Sequence, residues 1–281
     1  MMLLFGIAML AIALASFVLL KLAFTTRLGE IPGGGSYRTR DYIGYTLKQK
    51  LSLVWKALWG GPAARQIDLE EFQFSEIETP LTRKNRKRGR YPKRLVDIAA
   101  SLIMLSVLAP MLLLVAIAIK IDSPGPVFYR QRRVGLNGKI FEVIKFRSMV
   151  SDAEKNGARW ADKNDSRITK LGRLLRLTRI DEIPQAINVL RGEMSFVGPR
   201  PERPEFIEVL EKEIPHYNDR HMVKPGITGW AQVEYEYGAS VDDARQKLTY
   251  DLFYIKNFSI AFDFIILMKT VRVTLFGIGS R

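Results

Sequence analysis

The chain has no cysteine and only two histidines in 281 residues. Without cysteine there can be no disulfide, thiolate metal ligand or thiol nucleophile, and the composition suits a reducing compartment. His216 and His221 alone cannot build a histidine-rich metal centre, and a structural or hydrogen-bonding role is the simpler reading of both. Acidic residues are scarce as well. Asp and Glu number 29 against 43 Lys and Arg, a net charge of +14 with a pI near 9.9. Such an excess implies an anionic partner: nucleic acid, an anionic lipid surface or a phosphorylated substrate. Apolar residues, in contrast, make up 47% of the chain, enough for one ordinary domain plus membrane segments and too much for a disordered protein.

Met1–Leu20 carries no charge and is long enough to cross roughly 30 Å of hydrocarbon as a helix. A cleaved signal peptide is the weaker alternative, because no basic stretch precedes the run and no clear small-x-small site ends it before Lys21. Lys21, Arg27, Arg38 and Arg40 follow it, so the positive-inside rule puts the rest of the chain in the cytoplasm. We read residues 1–24 as a transmembrane helix and residues 25–93 as a linker region. Within that region Gly29–Ser36 is a glycine-rich connector. Tyr42–Trp59 mixes lysines with apolar residues and two tryptophans, and fits equally an interfacial membrane helix or a soluble helix packed on the following domain. The acidic stretch Asp68–Glu78 reads as a linker or docking segment with no chemistry of its own.

Arg83–Arg94 holds eight basic residues in twelve and no acid. It runs directly into an apolar stretch, which favours attraction to anionic headgroups, about 1 kcal/mol per charge, over nucleic-acid binding. That apolar stretch, Ile98–Ile119, has Pro110 near its middle and arginine-rich flanks on both sides, the second being Arg130, Arg132 and Arg133. Positive charge at both ends argues that both face the cytoplasm. A proline removes one helical hydrogen bond and kinks the helix. Residues 94–121 are therefore expected to form a Pro-broken re-entrant membrane helix that turns back at Ala109-Pro110.

Residues 122–281 are expected to form a small cytoplasmic domain, giving an α+β, mostly helical chain overall. Two β-prone runs, Val127–Val134 and Ile140–Met149, flank Gly135-Leu136-Asn137-Gly138, a hairpin signal. Lys145 and Arg147 lie two apart, on one face of the second strand, where they can reach an anion or stand as solvated surface charge. Ser151–Asp165 reads as a mobile loop, and Lys224-Pro225-Gly226-Ile227 as a type II turn. Helices are expected over Pro201–Tyr217, Val241–Phe253 and Ser259–Phe276. The last is strongly apolar yet carries Asp263, Lys269 and Arg272, so it packs on the core or lies at the membrane interface as an amphipathic helix.

The most informative stretch is Gly172–Pro204, where Asp181 and Glu182 stand among Arg173, Arg176, Arg179, Arg191, Arg200 and Arg203. Ile183, Ile187 and Leu190 recur at helical spacing and Gly192 is a plausible stop. A helix Asp181–Arg191 is thus expected, with Asp181 as N-cap and Pro184 in the first turn. By itself an acidic pair there reads as a cap paired with arginines. It also suits phosphate chemistry, because a divalent cation such as Mg²⁺ takes one or two carboxylates plus phosphate oxygens. In Gly198-Pro199-Arg200-Pro201 two prolines hold one arginine fork, suited to phosphate.

The ordered motifs KRLVD, KFRSM, RLTRIDE, NVLRGEMSFVGPRPE and KPGITGWAQV, from about Lys93 to near the C-terminus, resemble the bacterial sugar transferase family. These are monotopic phosphoglycosyl transferases that place a sugar phosphate on polyprenyl phosphate. The resemblance implies that Asp181 is the nucleophile and that Glu182 serves the metal and phosphate chemistry, with Mg²⁺ on Asp181 and Glu182. Lys145, Arg147, Arg176 and Arg200 match the family's basic phosphate- or nucleotide-binding positions. It also implies a re-entrant helix at the bacterial inner membrane with a cytoplasmic catalytic domain. Where the family often has Ser before the turning proline this chain has Ala109, with Ser106 one turn upstream.

The implied reaction passes sugar 1-phosphate from a UDP-sugar to polyprenyl (undecaprenyl) phosphate, releasing UMP, as a first membrane step of glycan assembly. Partners would be those two substrates and anionic membrane lipids, with a homodimer allowed and no nucleic acid. The competing reading is a membrane-tethered anionic-lipid or nucleic-acid binder without catalysis. Such a binder would use the basic run but has no use for Asp181-Glu182 beside a rigid arginine loop, and no nucleic-acid motif is present.

Overall fold

One helix, α1 (Pro80–Asp122), carries both the polybasic segment and the second apolar run, and is long and apolar enough to cross a membrane. The computed structural model describes residues 80–153, 155, 165–235, 238 and 240–276, with side chains between Arg90 and Thr274. The expected transmembrane helix, glycine-rich connector, Tyr42–Trp59 helix and acidic segment lie outside the described residues, as does most of the Ser151–Asp165 loop. After α1 come a hairpin of β1 (Phe128–Val134) and β2 (Ile140–Phe146), then α2 (Lys170–Leu177), a 3-10 turn Ile180–Glu182 and α3 (Gln185–Arg191). Next are β3 (Ser195–Val197), α4 (Pro204–Glu213), a 3-10 stretch Tyr217–Met222 and β4 (Gly226–Thr228). Helices α5 (Trp230–Glu234), α6 (Val241–Lys256) and α7 (Ile260–Phe276) complete a mostly helical fold with two small sheets.

Helical geometry continues through Pro92 and Pro110, so α1 is one proline-bearing helix where two helices joined by a break were expected. Proline removes one backbone hydrogen bond but does not by itself end a helix. Asp97, Ala100, Ser101, Met104, Leu108, Val115 and Ile119 are buried, a stripe at helical spacing. Leu102, Ile103, Val107, Leu113, Leu114 and Ile117 remain 46–67% exposed, an apolar face larger than an aqueous surface favours.

The KRLVD motif docks this helix. Arg94 donates to the carbonyls of Val189 and Leu190, satisfying the C-terminal end of α3. Asp97 accepts from Ser195 Oγ at 3.0 Å and the Phe196 amide at 3.1 Å, and Lys93 pairs with Asp263 of α7 at 2.6 Å. At the other end Arg147 donates to the Ser123 and Pro124 carbonyls, and Gly125 at φ +126° leaves room where a Cβ would lie 2.1 Å from that guanidinium. Both ends of the apolar run are thus tied to one domain.

The hairpin forms as expected, Val134 facing Ile140 across Asn137 (φ 55°) and Gly138 (φ 76°), though β2 ends at Phe146, three residues early. Other boundaries differ for local reasons. Prolines at 201 and 204 delay α4 to Pro204, where proline is tolerated in the first turn, and α4 ends at Glu213. Gly226 belongs to a strand instead of a type II turn, with β3 and β4 pairing in parallel, Ser195 with Gly226 and Val197 with Thr228. Glycine is required there for proximity: a Cβ on Gly226 would lie 2.2 Å from the Gly198 nitrogen and 2.3 Å from the Thr228 oxygen. Helix α7 packs on the core, its Asp263 and Lys269 buried and paired with Lys93 and Glu234.

Candidate active site

The acidic pair sits on the 3-10 turn between α2 and α3, not at the start of a helix as expected. Arg179 precedes it in the left-handed region, φ 59°, and α3 begins only at Gln185 with Pro184 as its N-cap. Thr178 closes α2 through its hydroxyl to the Leu174 carbonyl at 2.7 Å, and the reversal at Arg179 then turns Asp181 and Glu182 inward. Both are buried, at 7% and 6% exposure. Asn188 fixes this segment against the hairpin, accepting from the Ile144 amide at 3.0 Å and donating to the Glu142 carbonyl at 2.6 Å.

Around the pair the charges are arranged asymmetrically. Glu182 Oε1 accepts from Lys145 Nζ at 3.0 Å and from Arg200 Nη2 at 2.8 Å. Burial works against its ionisation, yet Arg200 and Lys145 hold Glu182 well below the usual carboxylate range. Asp181 differs: burial and the adjacent Glu182 push it up to about 6, against the pull of Lys145, Arg176 and Arg179. Its Oδ1 is buried without a hydrogen-bond partner. Burial pushes the Lys145 ammonium down, partly offset by Glu182. Two neighbouring carboxylates in different environments can divide their roles, one charge-paired and one available to react.

The arginine loop is held as firmly as its prolines suggest. Gly198 donates to the Thr228 carbonyl and Gly226 to the Pro199 carbonyl, each at 2.9 Å, so the second sheet grips the loop base. On its far side Arg133 donates to the Pro201 carbonyl at 2.9 Å and the Val134 amide to the Glu202 carbonyl at 3.0 Å.

Of the residues singled out in the sequence, Asp181, Glu182, Lys145 and Arg200 converge in space, and Arg176 on α2 is near enough to lower the Asp181 proton affinity. Arg147 is placed elsewhere: its buried guanidinium caps the end of α1. Ala109 and Pro110 are both exposed on α1. Burial pushes His221 down to about 4, leaving it neutral at pH 7. Sequence reasoning missed Gln185, 2% exposed with its Nε2 unpartnered one turn after Asp181, and Asp97, whose two bonds to β3 anchor the arginine loop's approach. A carboxylate at the edge of the apolar run, the last residue of KRLVD, was the available signal for Asp97.

Residues 88–277 match the bacterial sugar transferase family, and this chain belongs to that family. Among its relatives, the UDP-N-acetylgalactosamine-undecaprenyl-phosphate N-acetylgalactosaminephosphotransferase of Aeromonas hydrophila is 48% identical over 189 residues, 67% of this chain and 45% of that protein. The undecaprenyl-phosphate glucose phosphotransferase of Komagataeibacter xylinus is 46% identical over 191 residues, 66% of this chain and 36% of the relative. The exopolysaccharide production protein PSS of Rhizobium leguminosarum bv. phaseoli is 46% identical over 185 residues, 64% of this chain and 92% of that protein. The chain thus spans less than half the length of the first two.

Proposed function

We propose that the protein is a membrane phosphoglycosyl transferase that moves a sugar 1-phosphate from a UDP-sugar to polyprenyl phosphate and releases UMP, in exopolysaccharide, capsule or O-antigen assembly. The observation that carries this reading is Asp181 with an unpartnered buried oxygen beside a Glu182 that gathers Lys145 and Arg200. Ionised Asp181 attacks the sugar-linked phosphorus, a carboxylate–phosphorus bond forms, and the bond to the bridging oxygen breaks so that UMP leaves with that oxygen. An oxygen of polyprenyl phosphate then attacks the same phosphorus, expels the Asp181 carboxylate and completes the lipid-linked diphosphosugar. Lys145 and Arg200, aligned by Glu182, offset charge on the phosphoryl oxygens, and Arg176 favours the ionised nucleophile.

Asp181 and Glu182 are a donor set that fits Mg²⁺, which uses one or two carboxylates with phosphate oxygens, and Asp181 Oδ1 is an open ligand. When bound, the ion would supply charge neutralisation at the diphosphate. No cluster of three His, Cys, Asp or Glu is present among the described residues, so substrate would complete any coordination sphere.

The lipid acceptor explains the membrane segment. Anchors at Arg94 and Asp97 on one side and Ser123 and Pro124 on the other tie both ends of the apolar run to one domain, which supports entry and exit on the cytoplasmic face by a helix kinked at Pro110 but not broken there. Transfer of radiolabel from a panel of UDP-sugars to polyprenyl phosphate, with release of UMP, tests the reaction in membranes containing this protein. Membranes that bind anionic lipid but transfer no sugar phosphate would favour the non-catalytic reading.

A further inference from the structure

Arg220 and Asp251 form a buried pair, 5% and 1% exposed, that takes no part in the chemistry above. Their contacts lead to the arginine loop. Arg220 Nη2 donates to Asp251 Oδ2 at 2.7 Å and to the backbone carbonyl of Arg200 at 3.0 Å, and Nη1 donates to the Tyr217 hydroxyl at 2.6 Å. Four consecutive carbonyls, from Pro199 to Glu202, therefore each accept from a different donor: Gly226, Arg220, Arg133 and Val134. Gly226 holds the peptide that enters Arg200, Arg133 and Val134 hold the carbonyls after it, and among these four donors Arg220 is the one on the carbonyl of Arg200 itself. The peptide of that carbonyl sets where the Arg200 fork leaves the backbone.

We propose that Arg220, locked by Asp251 of α6 and Tyr217, is a positioning residue that aims Arg200 at the phosphate of the sugar nucleotide. The pair lies on elements downstream of the motif it serves. A guanidinium suits the task, because its fixed fork meets a carboxylate, a hydroxyl and a carbonyl together. Loss of this hold lets the Arg200 peptide shift, and a displacement of about 1 Å at a reacting group costs on the order of 100-fold in rate. This assignment rests on the phosphoglycosyl transferase reading of the site.

The test is a double-mutant cycle on the full-length protein, read by the rate at which a covalent sugar-phosphate adduct forms from UDP-sugar and Mg²⁺. Arg220→Met with Asp251→Leu removes the pair together, since replacing a buried ion pair by apolar side chains leaves stability nearly unchanged whereas removing one partner strands a charge. Thermal unfolding checks that the variant is folded. The expected result is a loss of about 100-fold in adduct formation in the wild-type background, and less than about 3-fold in an Arg200→Ala background, where nothing remains to be aimed. Equal losses in both backgrounds, or no loss in the first, overturn the assignment while leaving the reaction standing. Absence of any adduct on the wild-type protein overturns the covalent reading and this assignment with it.

Discussion

Replacing Glu182 by Gln keeps the shape of the side chain and removes the negative charge that Lys145 and Arg200 share. Breaking a buried ion pair by removing one partner costs about 3–5 kcal/mol. The lower end applies here, because the amide oxygen still accepts one hydrogen bond, the Arg200 side chain is 36% exposed, and repulsion with Asp181 is relieved. A loss of about 3 kcal/mol lowers the unfolding midpoint of a domain this size by roughly 6–12 °C. The same change acts on Asp181 with a defined sign. Its carboxyl is raised to about 6 by burial and by the Glu182 charge, so removing that charge lowers it. In the proposed mechanism Asp181 reacts only when ionised, so adduct formation should fail as pH falls through its pKa, and in Glu182→Gln that acid limb should move to lower pH. With the proposed Mg²⁺ at this pair, turnover should fall as the metal site is weakened, and excess Mg²⁺ should restore part of it. The assays are thermal unfolding in detergent and the pH profile of adduct formation at fixed Mg²⁺. An unchanged melting temperature together with an acid limb that stays or moves upward refutes the charge arrangement described.

Gly226→Ala places a Cβ 2.2 Å from the Gly198 nitrogen and should unfold or grossly destabilise the protein, whereas Gly138→Ala, with open space around it, costs only the left-handed strain of about 1–2 kcal/mol; comparative unfolding measures both. Cysteines placed singly at Gly89 and Asn137 should share accessibility to an impermeant reagent from the cytoplasmic side, and labelling from opposite sides would mean that α1 spans the bilayer.

The parts most legible in the sequence are those dictated by local chemistry. The hairpin follows from Gly135–Gly138 between β-prone runs, and the arginine loop from its prolines. The convergence of Lys145 and Arg200 on Glu182 was reachable only through motif resemblance, because β2 and the loop are brought together by long-range packing. Two misplacements share a cause. Asp181 reads as a helix cap and Gly226 as a turn because both residues satisfy those local rules, while the left-handed Arg179 and the β3–β4 pairing are tertiary outcomes. Arg147 shows the limit of strand periodicity: β2 ends at Phe146, so Lys145 reaches the acidic pair from the strand while Arg147, one residue past it, reaches the end of α1. The helix terminus it caps lies 24 residues away.

The central claim is that Asp181 is the nucleophile. Intact-protein mass measurement after incubation with UDP-sugar and Mg²⁺, without lipid acceptor, tests it directly. The wild-type protein should gain the mass of one sugar phosphate, lost again when polyprenyl phosphate is added, and Asp181→Asn should gain nothing. An adduct that persists on Asp181→Asn would place the nucleophile elsewhere, and an active wild-type protein that never carries one would mean direct transfer in a single displacement.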